Sequence, residues 1–410
     1  MKIKENILFK KKELFRFCSL RFLFGISYSF MIPIIPLFFN SIGIGTLVIG
    51  TIMSLYGVAK AIAQIPFGII SDSIGDKILW IGALVLMTIV PLSYIFIKIQ
   101  IGAKITYIIQ GAVLGMAAPA TFSVLSRSLD ERKRGECTGY ASAVFTLGGG
   151  IGAIIGGFVS AYFNSYALAF ILASIGIFLS LLYLIFKIEK PTKIMTKCKE
   201  SKEPLSCRIK VIYSEIKEHK LLARIIVLSA VALLGDFIYG CVVSMFPFYG
   251  QEVLGGTAFY TSCIISIYLF VFGLFAPLGG VVSDKIGVKK QLYASFIVML
   301  ITLFLLWIIK AKILFTVVIF FYFLGATFLN SALQNSLLEF GENENIKGIV
   351  FGIIGASESI GYSIGPIVAA FIYHINKGFL FMGLLIFSII IFIMFIILSK
   401  RAFSENIRIK

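Results

Sequence analysis

Charge and histidine are both scarce in this chain. Charged residues fill 14% of its 410 positions, and the histidines are His219 and His374. Soluble proteins carry about 25% charged residues. The shortage, joined to 59% hydrophobic residues and a mean hydropathy of +0.99, excludes an ordinary soluble domain. Two histidines and six scattered cysteines (Cys18, Cys137, Cys198, Cys207, Cys241 and Cys263) show no metal-ligand spacing, so no metal site is expected. Cys198 and Cys207 fall in a stretch predicted to be cytoplasmic, where thiols stay reduced. No G-x-x-x-x-G-K-S/T loop is present, which excludes ATP hydrolysis by that route. No H-E-x-x-H occurs either. The sequence makes no case for an enzyme, for catalytic residues or for a cofactor.

What the chain has instead is long apolar runs. A membrane-spanning helix needs about 20 apolar residues. Twelve such runs lie near 19–40, 47–69, 78–98, 105–126, 137–161, 166–187, 225–249, 258–279, 291–309, 313–337, 348–373 and 378–399. They are continuous blocks rather than alternating ones, which excludes a transmembrane β-barrel. The predicted fold class is an all-α membrane protein with twelve transmembrane helices. Lys10, Lys11, Lys12 and Arg16 precede the first run like the leader of a signal peptide. That run is too long for one and shows no small-residue cleavage site, so a retained first span is expected.

The formal net charge is +17. Its placement points to topology rather than to nucleic acid. With an even number of spans both termini share a side. That side collects both basic terminal segments, Lys77, Arg127 to Arg134, Lys187 to Arg224, Lys285 to Lys290 and Lys347. The opposite side keeps Lys98, Lys104, Lys310, Lys312 and Lys377. The positive-inside rule then predicts a multi-pass protein of the plasma membrane with both termini in the cytoplasm. The lipid bilayer is the expected partner, with a hold on anionic lipid from the basic face. No nucleic-acid partner is expected, and a monomer is.

A polar stretch, "GIISDSIGDK" at 68–77, returns as "GVVSDKIGVK" at 280–289. Gly68, Ser71, Asp72, Ile74, Gly75 and Lys77 match Gly280, Ser283, Asp284, Ile286, Gly287 and Lys289 at one constant offset, 212. Pro36 and Pro247 stand 211 apart. The chain therefore reads as two six-span halves in tandem: 1–186, a cytoplasmic linker at 187–224, and 225–410. In the linker, Ile209, Ile212 and Ile216 suggest a short amphipathic helix on the membrane surface.

The paired turns resemble the signature loop of the major facilitator superfamily, roughly G-x-x-x-D-x-x-G-x-R/K-R/K. One copy would be weak, since glycine and aspartate are common turn residues. Two copies in register, in the same loop of each half, are specific, and the resemblance covers about 15–400. It implies that Gly68, Asp72, Gly75 and Lys77, with Gly280, Asp284, Gly287 and Lys289, act as a cytoplasmic latch while the pore opens outward. The first copy departs from the pattern at Ser73 and Asp76, where basic residues are usual. A second motif lies in "TLGGGIGAIIGG" at 146–157. Gly148, Gly152 and Gly156 form one side-chain-free stripe, and Gly149, Ala153 and Gly157 the next. It resembles the antiporter motif of drug/proton exchangers, with Ala153 in place of the usual proline. Gly361, Gly365 and Pro366 form its counterpart in the eleventh span. Tight helix packing without any exchange role would produce the same stripes.

Charges inside the spans point most directly to function, because a charge at mid-bilayer costs at least about 2.5–3.5 kcal/mol on insertion scales. Lys60, Asp236 and Glu358 qualify, each about 16–20 Å from a predicted span end at 1.5 Å per residue. Arg21 and Glu339 sit nearer the interfaces. A carboxylate in an enclosed cavity can load and release a proton near neutral pH. Asp236 is therefore the expected proton- and cation-handling group, with Lys60 pairing with Glu358. A static ion pair holding the seam between the halves is the competing interpretation. The family often has an arginine in span four, three residues before a Gln-Gly pair. Here Tyr107 precedes Gln110-Gly111, so coupling through that arginine does not carry over. Apolar and aromatic cavity walls are expected from Tyr28, Phe30, Phe122, Phe237, Tyr239, Phe246, Tyr322 and Asn330. Such walls suit lipophilic cations through stacking and cation–π contact.

The expected function is secondary active transport: proton-coupled efflux of hydrophobic or cationic small molecules by alternating access. Two alternatives stay open. One is an uptake or exchange carrier for a small organic anion or metabolite, with Lys60 as the anion contact. The other, from a different class, is a membrane sensor or scaffold that does not transport.

Overall fold

The computed structural model describes residues 12–128, 134–188, 221–340 and 347–403, without the side chains at 72–73, 122–123, 126–128, 134–139, 338–339 and 347–349. Most of the predicted linker, with Ile209, Ile212 and Ile216, lies outside the described residues, as do the side chains of Asp72 and Phe122. The described chain is helical throughout, with no strand. Seven helices precede the linker: α1 (Lys12–Ser29), α2 (Ile35–Ser41), α3 (Thr46–Ile74), α4 (Asp76–Ile95), α5 (Gln100–Ser128), α6 (Arg134–Tyr162) and α7 (Tyr166–Lys187). Six follow it: α8 (Leu222–Glu252), α9 (Ala258–Ile286), α10 (Val288–Ile308), α11 (Lys312–Phe340), α12 (Lys347–Ile375) and α13 (Leu380–Ala402).

Eleven of these helices are long and apolar enough to cross a bilayer alone. The first predicted span is different: α1 and α2 share it, broken at Phe30 to Ile34. Proline lacks an amide hydrogen and clashes with the preceding turn. Pro33 sits in the break and Pro36 opens α2. The chain crosses the gap with turn hydrogen bonds, Ile34 and Ile35 both donating to the Met31 carbonyl at 3.1 and 3.0 Å. Pro247, the repeat partner of Pro36, lies inside an unbroken α8. Ser244 stands there where the first half has Pro33, so a single proline is absorbed by the helix.

Both signature turns use the same backbone. Gly75 joins α3 to α4 at φ +93°, and Gly287 joins α9 to α10 at φ +87°. Residues with a Cβ avoid that region, so glycine is required at both places. Each glycine amide closes the preceding helix by donating to Ser71 O at 2.9 Å or Ser283 O at 2.8 Å.

Within the first half, α1 packs on α6 and α7, α3 on α5, and α4 on α5 and α7. Within the second, α8 packs on α12 and α13, α9 on α11, and α10 on α11 and α13. Two seams join the halves, α3 with α12 and α6 with α9. Glycine sets the close approaches. A Cβ on Gly148, Gly152 or Gly156 would strike the carbonyls of Phe22, Ile26 and Phe30, so this stripe packs α6 on the α1–α2 span. Gly361 and Gly365 do the same for α12 against Leu233 and Phe237 of α8. Gly157 faces the seam instead, toward Ser262 of α9, and Gly149 lies between Ser29 of α1 and Leu269 of α9.

The seams are tight at one end only. Gly50 presses on Pro366 and Ala370, and Gly57 on Tyr362 and Ser363. Ser266 Oγ donates to Gly150 O across the other seam at 2.6 Å. Toward the end that carries the signature turns, a Cβ on Gly280, Gly352 or Gly355 would meet nothing within 4 Å among the described residues.

Candidate transport site

The three predicted mid-membrane charges converge where α3, α8 and α12 meet. Asp236 lies within electrostatic reach of both Glu358 and Lys60, and Glu358 within reach of Lys60. Among the described residues none of the three forms a contact ion pair. They are spaced charges around a common volume, not a locked bridge.

Lys60 shows where that volume opens. Ile49, Ile52, Met53, Tyr56 and Ala63 are buried along one face of α3. Lys60 follows Tyr56 by one turn on that face, yet it is exposed. The lipid-side face, with Ile62, Ile65 and Ile69 at 66%, 74% and 69% exposure, lies opposite. An exposed cation on an inward face means a solvent-connected interior. Farther along the same face Ile70 and Ile74 are also exposed, so the interior opens toward the signature-turn end.

Asp236 also lines a cavity of about 90 Å³, with Gly235, Tyr268, Met299 and Asn330 among its walls. All of its lining comes from α8, α9, α10 and α11. This hollow lies inside the second half, and Lys60 of the first half is within electrostatic reach of Asp236.

Tyrosines fill the junction. Tyr28 and Tyr56 share a hydroxyl–hydroxyl hydrogen bond of 2.9 Å, and Gln110 Nε2 donates to Tyr28 at 3.3 Å. Tyr94 donates in turn to Gln110 Oε1. Tyr56 packs on Tyr107 at 4.8 Å and, across the seam, on Tyr362 at 5.7 Å. Tyr362 meets Tyr239 at 5.7 Å, and Tyr239 stacks on Tyr268 at 5.5 Å. Tyr239, Tyr268 and Tyr362 all lie in electrostatic reach of Asp236. The result is a continuous aromatic belt from α4 to α9, with the acidic group beside its far end.

The other residues expected to line the cavity divide. Tyr28 and Tyr239 are in the belt and Asn330 is in the cavity wall. Phe237 faces away and stacks on Phe387 of α13 at 4.1 Å. Phe246 is enclosed against Tyr249 and Phe315. Phe30 is buried at the break, where its carbonyl backs Gly156. Tyr322 is fully buried in the second half, with no hydrogen-bond partner for its hydroxyl among the described residues. Side-chain direction on α8 decides the first two: Phe237 follows Asp236 directly, which turns it about 100° around the helix. The sequence did not single out Tyr56, Tyr268 or Tyr362 and treated Tyr107 only as a missing arginine. The signal was available, since a hydroxyl in an apolar span has to find a partner.

In the signature turns, Asn335 of α11 donates to Asp284 Oδ1 at 2.8 Å. Lys77 donates to the last carbonyls of α7, Ile185 O at 3.0 Å and Ile188 O. Gly361 to Gly365 spell G-x-S-x-G, a pattern of serine hydrolases. Here the run is interior to α12, and Ser363 Oγ donates to Ser359 O at 2.7 Å. It has no strand-to-helix elbow, so it is packing, not a nucleophile.

The family profile described as "Major Facilitator Superfamily" matches residues 17–345 and 253–408. The chain belongs to the Major Facilitator Superfamily. Multidrug resistance protein MdtG of Klebsiella pneumoniae (strain 342) is 23% identical over 383 residues, covering 90% of this chain and 89% of that protein. An uncharacterised MFS-type transporter of Methanocaldococcus jannaschii, MJ1560, is 30% identical over 128 residues, 31% of this chain and 33% of that protein. A solved structure of a bacterial homologue of the human lysosomal transporter Spinster, inward-facing and occupied, superposes with a TM-score of 0.75. It is 12% identical and covers 98% of this chain and 99% of its own. The superfamily's members are transporters, not enzymes, and this chain is a multi-pass membrane transporter of that fold.

Proposed function

We propose that this superfamily member exports hydrophobic, cationic compounds in exchange for protons, by alternating access between its two halves. The carrying observation is the placement of Asp236: beside an enclosed hollow, at the end of a tyrosine belt that crosses the seam, within reach of Glu358 and Lys60. A compound with an aromatic body and a positive charge has stacking partners in the belt and an anion beside it. Proton binding at the carboxylate and cation binding near it compete for the same charge, which is the requirement for exchange. The similarity to proteins named for multidrug resistance supports the direction. With both termini assigned to the cytoplasm, the open seam end makes this the inward-open state. The signature turns would then come together as a latch in the opposite state.

The test is efflux in everted membrane vesicles. Transport of a lipophilic cation should collapse when the pH gradient is discharged and in Asp236→Asn. Undiminished, gradient-dependent transport by Asp236→Asn would refute the assignment. A second interpretation rests on Lys60, the exposed cation on the inward face. Uptake of an organic anion, abolished in Lys60→Ala and indifferent to Asp236→Asn, would favour an anion carrier instead.

A further inference from the structure

The hollow beside Asp236 differs in chemistry between its mouth and its floor. Toward the mouth, Asp236 of α8, Tyr268 of α9 and Asn330 of α11 are half-buried. The floor includes Val231, Met299 and Leu329, all buried and apolar. Asp236, Tyr268 and Asn330 have no hydrogen bond among the described residues. Interior polar groups are nearly always paired. Three unpaired ones, brought to one hollow by three helices, call for an occupant that pairs with them.

The first half serves as an internal control. The repeat sets Gly25, Tyr56 and Ala118 against Asp236, Tyr268 and Asn330, at offsets of 211, 212 and 212. Tyr56 is satisfied there, sharing a hydroxyl–hydroxyl hydrogen bond with Tyr28 at 2.9 Å. A Cβ on Gly25 would strike the Phe145 carbonyl, so no side chain fits at that position. The second half therefore carries a carboxylate and an amide that the shared architecture does not require, beside a tyrosine hydroxyl left unpaired.

The volume, about 90 Å³, limits the occupant. A cavity of about 150 Å³ takes a benzene ring. At the ~30 Å³ that a water occupies in the liquid, this hollow takes about three heavy atoms. Water alone fits it poorly, because water needs polar partners on several sides and the floor offers none. Gly235 forms part of the wall, and a Cβ on it would meet nothing within 4 Å among the described residues. The space suits a short alkyl group whose polar centre stays at the mouth, and it excludes a ring.

We infer that the hollow receives the small N-alkyl group of a protonated secondary amine, with the ammonium at its mouth. The two N–H groups of such an amine donate to the Asp236 carboxylate and to Asn330 Oδ1, charge-assisted bonds that a neutral ligand lacks. The alkyl group lies on Val231, Met299 and Leu329, and the aromatic body lies along Tyr239 and Tyr362. A quaternary ammonium has no N–H to offer Asn330, and a cation wrapped in rings does not enter. The inference rests on the reading of Asp236 as the cation-handling carboxylate. It narrows the substrate class and adds Asn330 and Gly235 as the residues that set specificity.

The test titrates the purified full-length protein in neutral detergent at about pH 8, where an alkylammonium is still charged, and follows its Tm. The probes are N-methylphenethylamine, N-propylphenethylamine and the quaternary trimethyl compound with the same body. Burying two more methylenes should lower the half-saturating concentration of the propyl compound about ten-fold below that of the methyl one. Gly235→Val, which fills the hollow, should abolish that gain. Gly235→Ala, which adds a single methyl, should reduce it about four-fold and covers the case in which the valine variant does not fold. Asn330→Leu should raise the half-saturation of the propyl compound about ten-fold and leave the quaternary compound unchanged. Asp236→Asn should weaken all three probes. No saturable rise with the propyl compound, equal half-saturation for methyl and propyl, or a propyl gain that survives both glycine variants overturns the inference. If Asp236→Asn still weakens every probe in that case, the subsite falls and the exchange reading stands. Binding indifferent to Asp236→Asn sinks the exchange reading, and the subsite with it.

Discussion

The two glycine faces of α6 should respond differently to the same small insult. Gly157 faces the seam, where a Cβ would overlap the Cβ and Oγ of Ser262 on α9. Ser262 cannot turn away: its Cβ is fixed by the helix, and its Oγ already donates to Ala258 O at 2.9 Å. Ordinary carbon contacts lie near 3.5–4.0 Å, so α6 and α9 must separate by about 1 Å or more to admit an alanine. Overpacking of this kind costs about 1–3 kcal/mol. The cost falls on the state in which this end of the seam is closed and is relieved when it opens. Gly157→Ala should therefore shift the balance of states by roughly 5- to 150-fold toward the opposite-facing one. Gly156 sits one residue earlier and faces Phe30 inside the first half. That contact does not cross the seam, so Gly156→Ala should lower Tm and leave the balance alone. The assay is pulsed electron–electron resonance between spin labels at Ser41→Cys and His374→Cys, both exposed at the closed end, in a background without the six native cysteines. Gly157→Ala should add a longer distance population that the parent lacks. An unchanged distribution in a folded Gly157→Ala, or the same lengthening in Gly156→Ala, would refute the division of faces.

Three further outcomes follow from single contacts. Tyr56→Phe removes the hydroxyl bonded to Tyr28 and should lower stability by about 0.5–1.5 kcal/mol, measured by thermal melting, while keeping the stack on Tyr107. Gly75→Ala and Gly287→Ala each force a Cβ into a backbone region that only glycine occupies freely, so each should cost about 1–3 kcal/mol. Equal losses in the two variants are expected from the matching turns, and no loss in either would contradict the assigned conformation. Ser336→Ala withdraws an acceptor from the buried Arg224 guanidinium and should destabilise by about 1–3 kcal/mol. Ser336→Thr, which keeps the hydroxyl, should recover most of that loss.

The fold was legible because the bilayer simplifies the code. Every crossing needs one long apolar run, and the repeated G-x-x-S-D-x-I-G turn marks the same loop in both halves. The prolines were harder. A lone Pro247 is absorbed by α8, whereas Pro33 and Pro36 together split the first crossing, and only the pair explains the difference. Charges were also legible, because one inside a span is costly wherever it falls, and Lys60, Asp236 and Glu358 lie within electrostatic reach of one another without a contact ion pair. Aromatics were not. Among 40 phenylalanines no single one carries information, and direction around a helix decides whether a ring lines a cavity or packs on a neighbour, as Phe237 does on Phe387. Tyrosine is more informative than phenylalanine in such a chain, because its hydroxyl favours other polar groups, as at Tyr28 and Tyr56, although Tyr322 is buried without a partner among the described residues.

The same reasoning extends to the repeat. Matching positions such as Gly75 and Gly287 report what the fold requires of either half. Mismatched ones, Asp76 against Val288 and Ile78 against Lys290, report what one half does that the other does not. In a tandem transporter the second kind of position is where function separates from architecture.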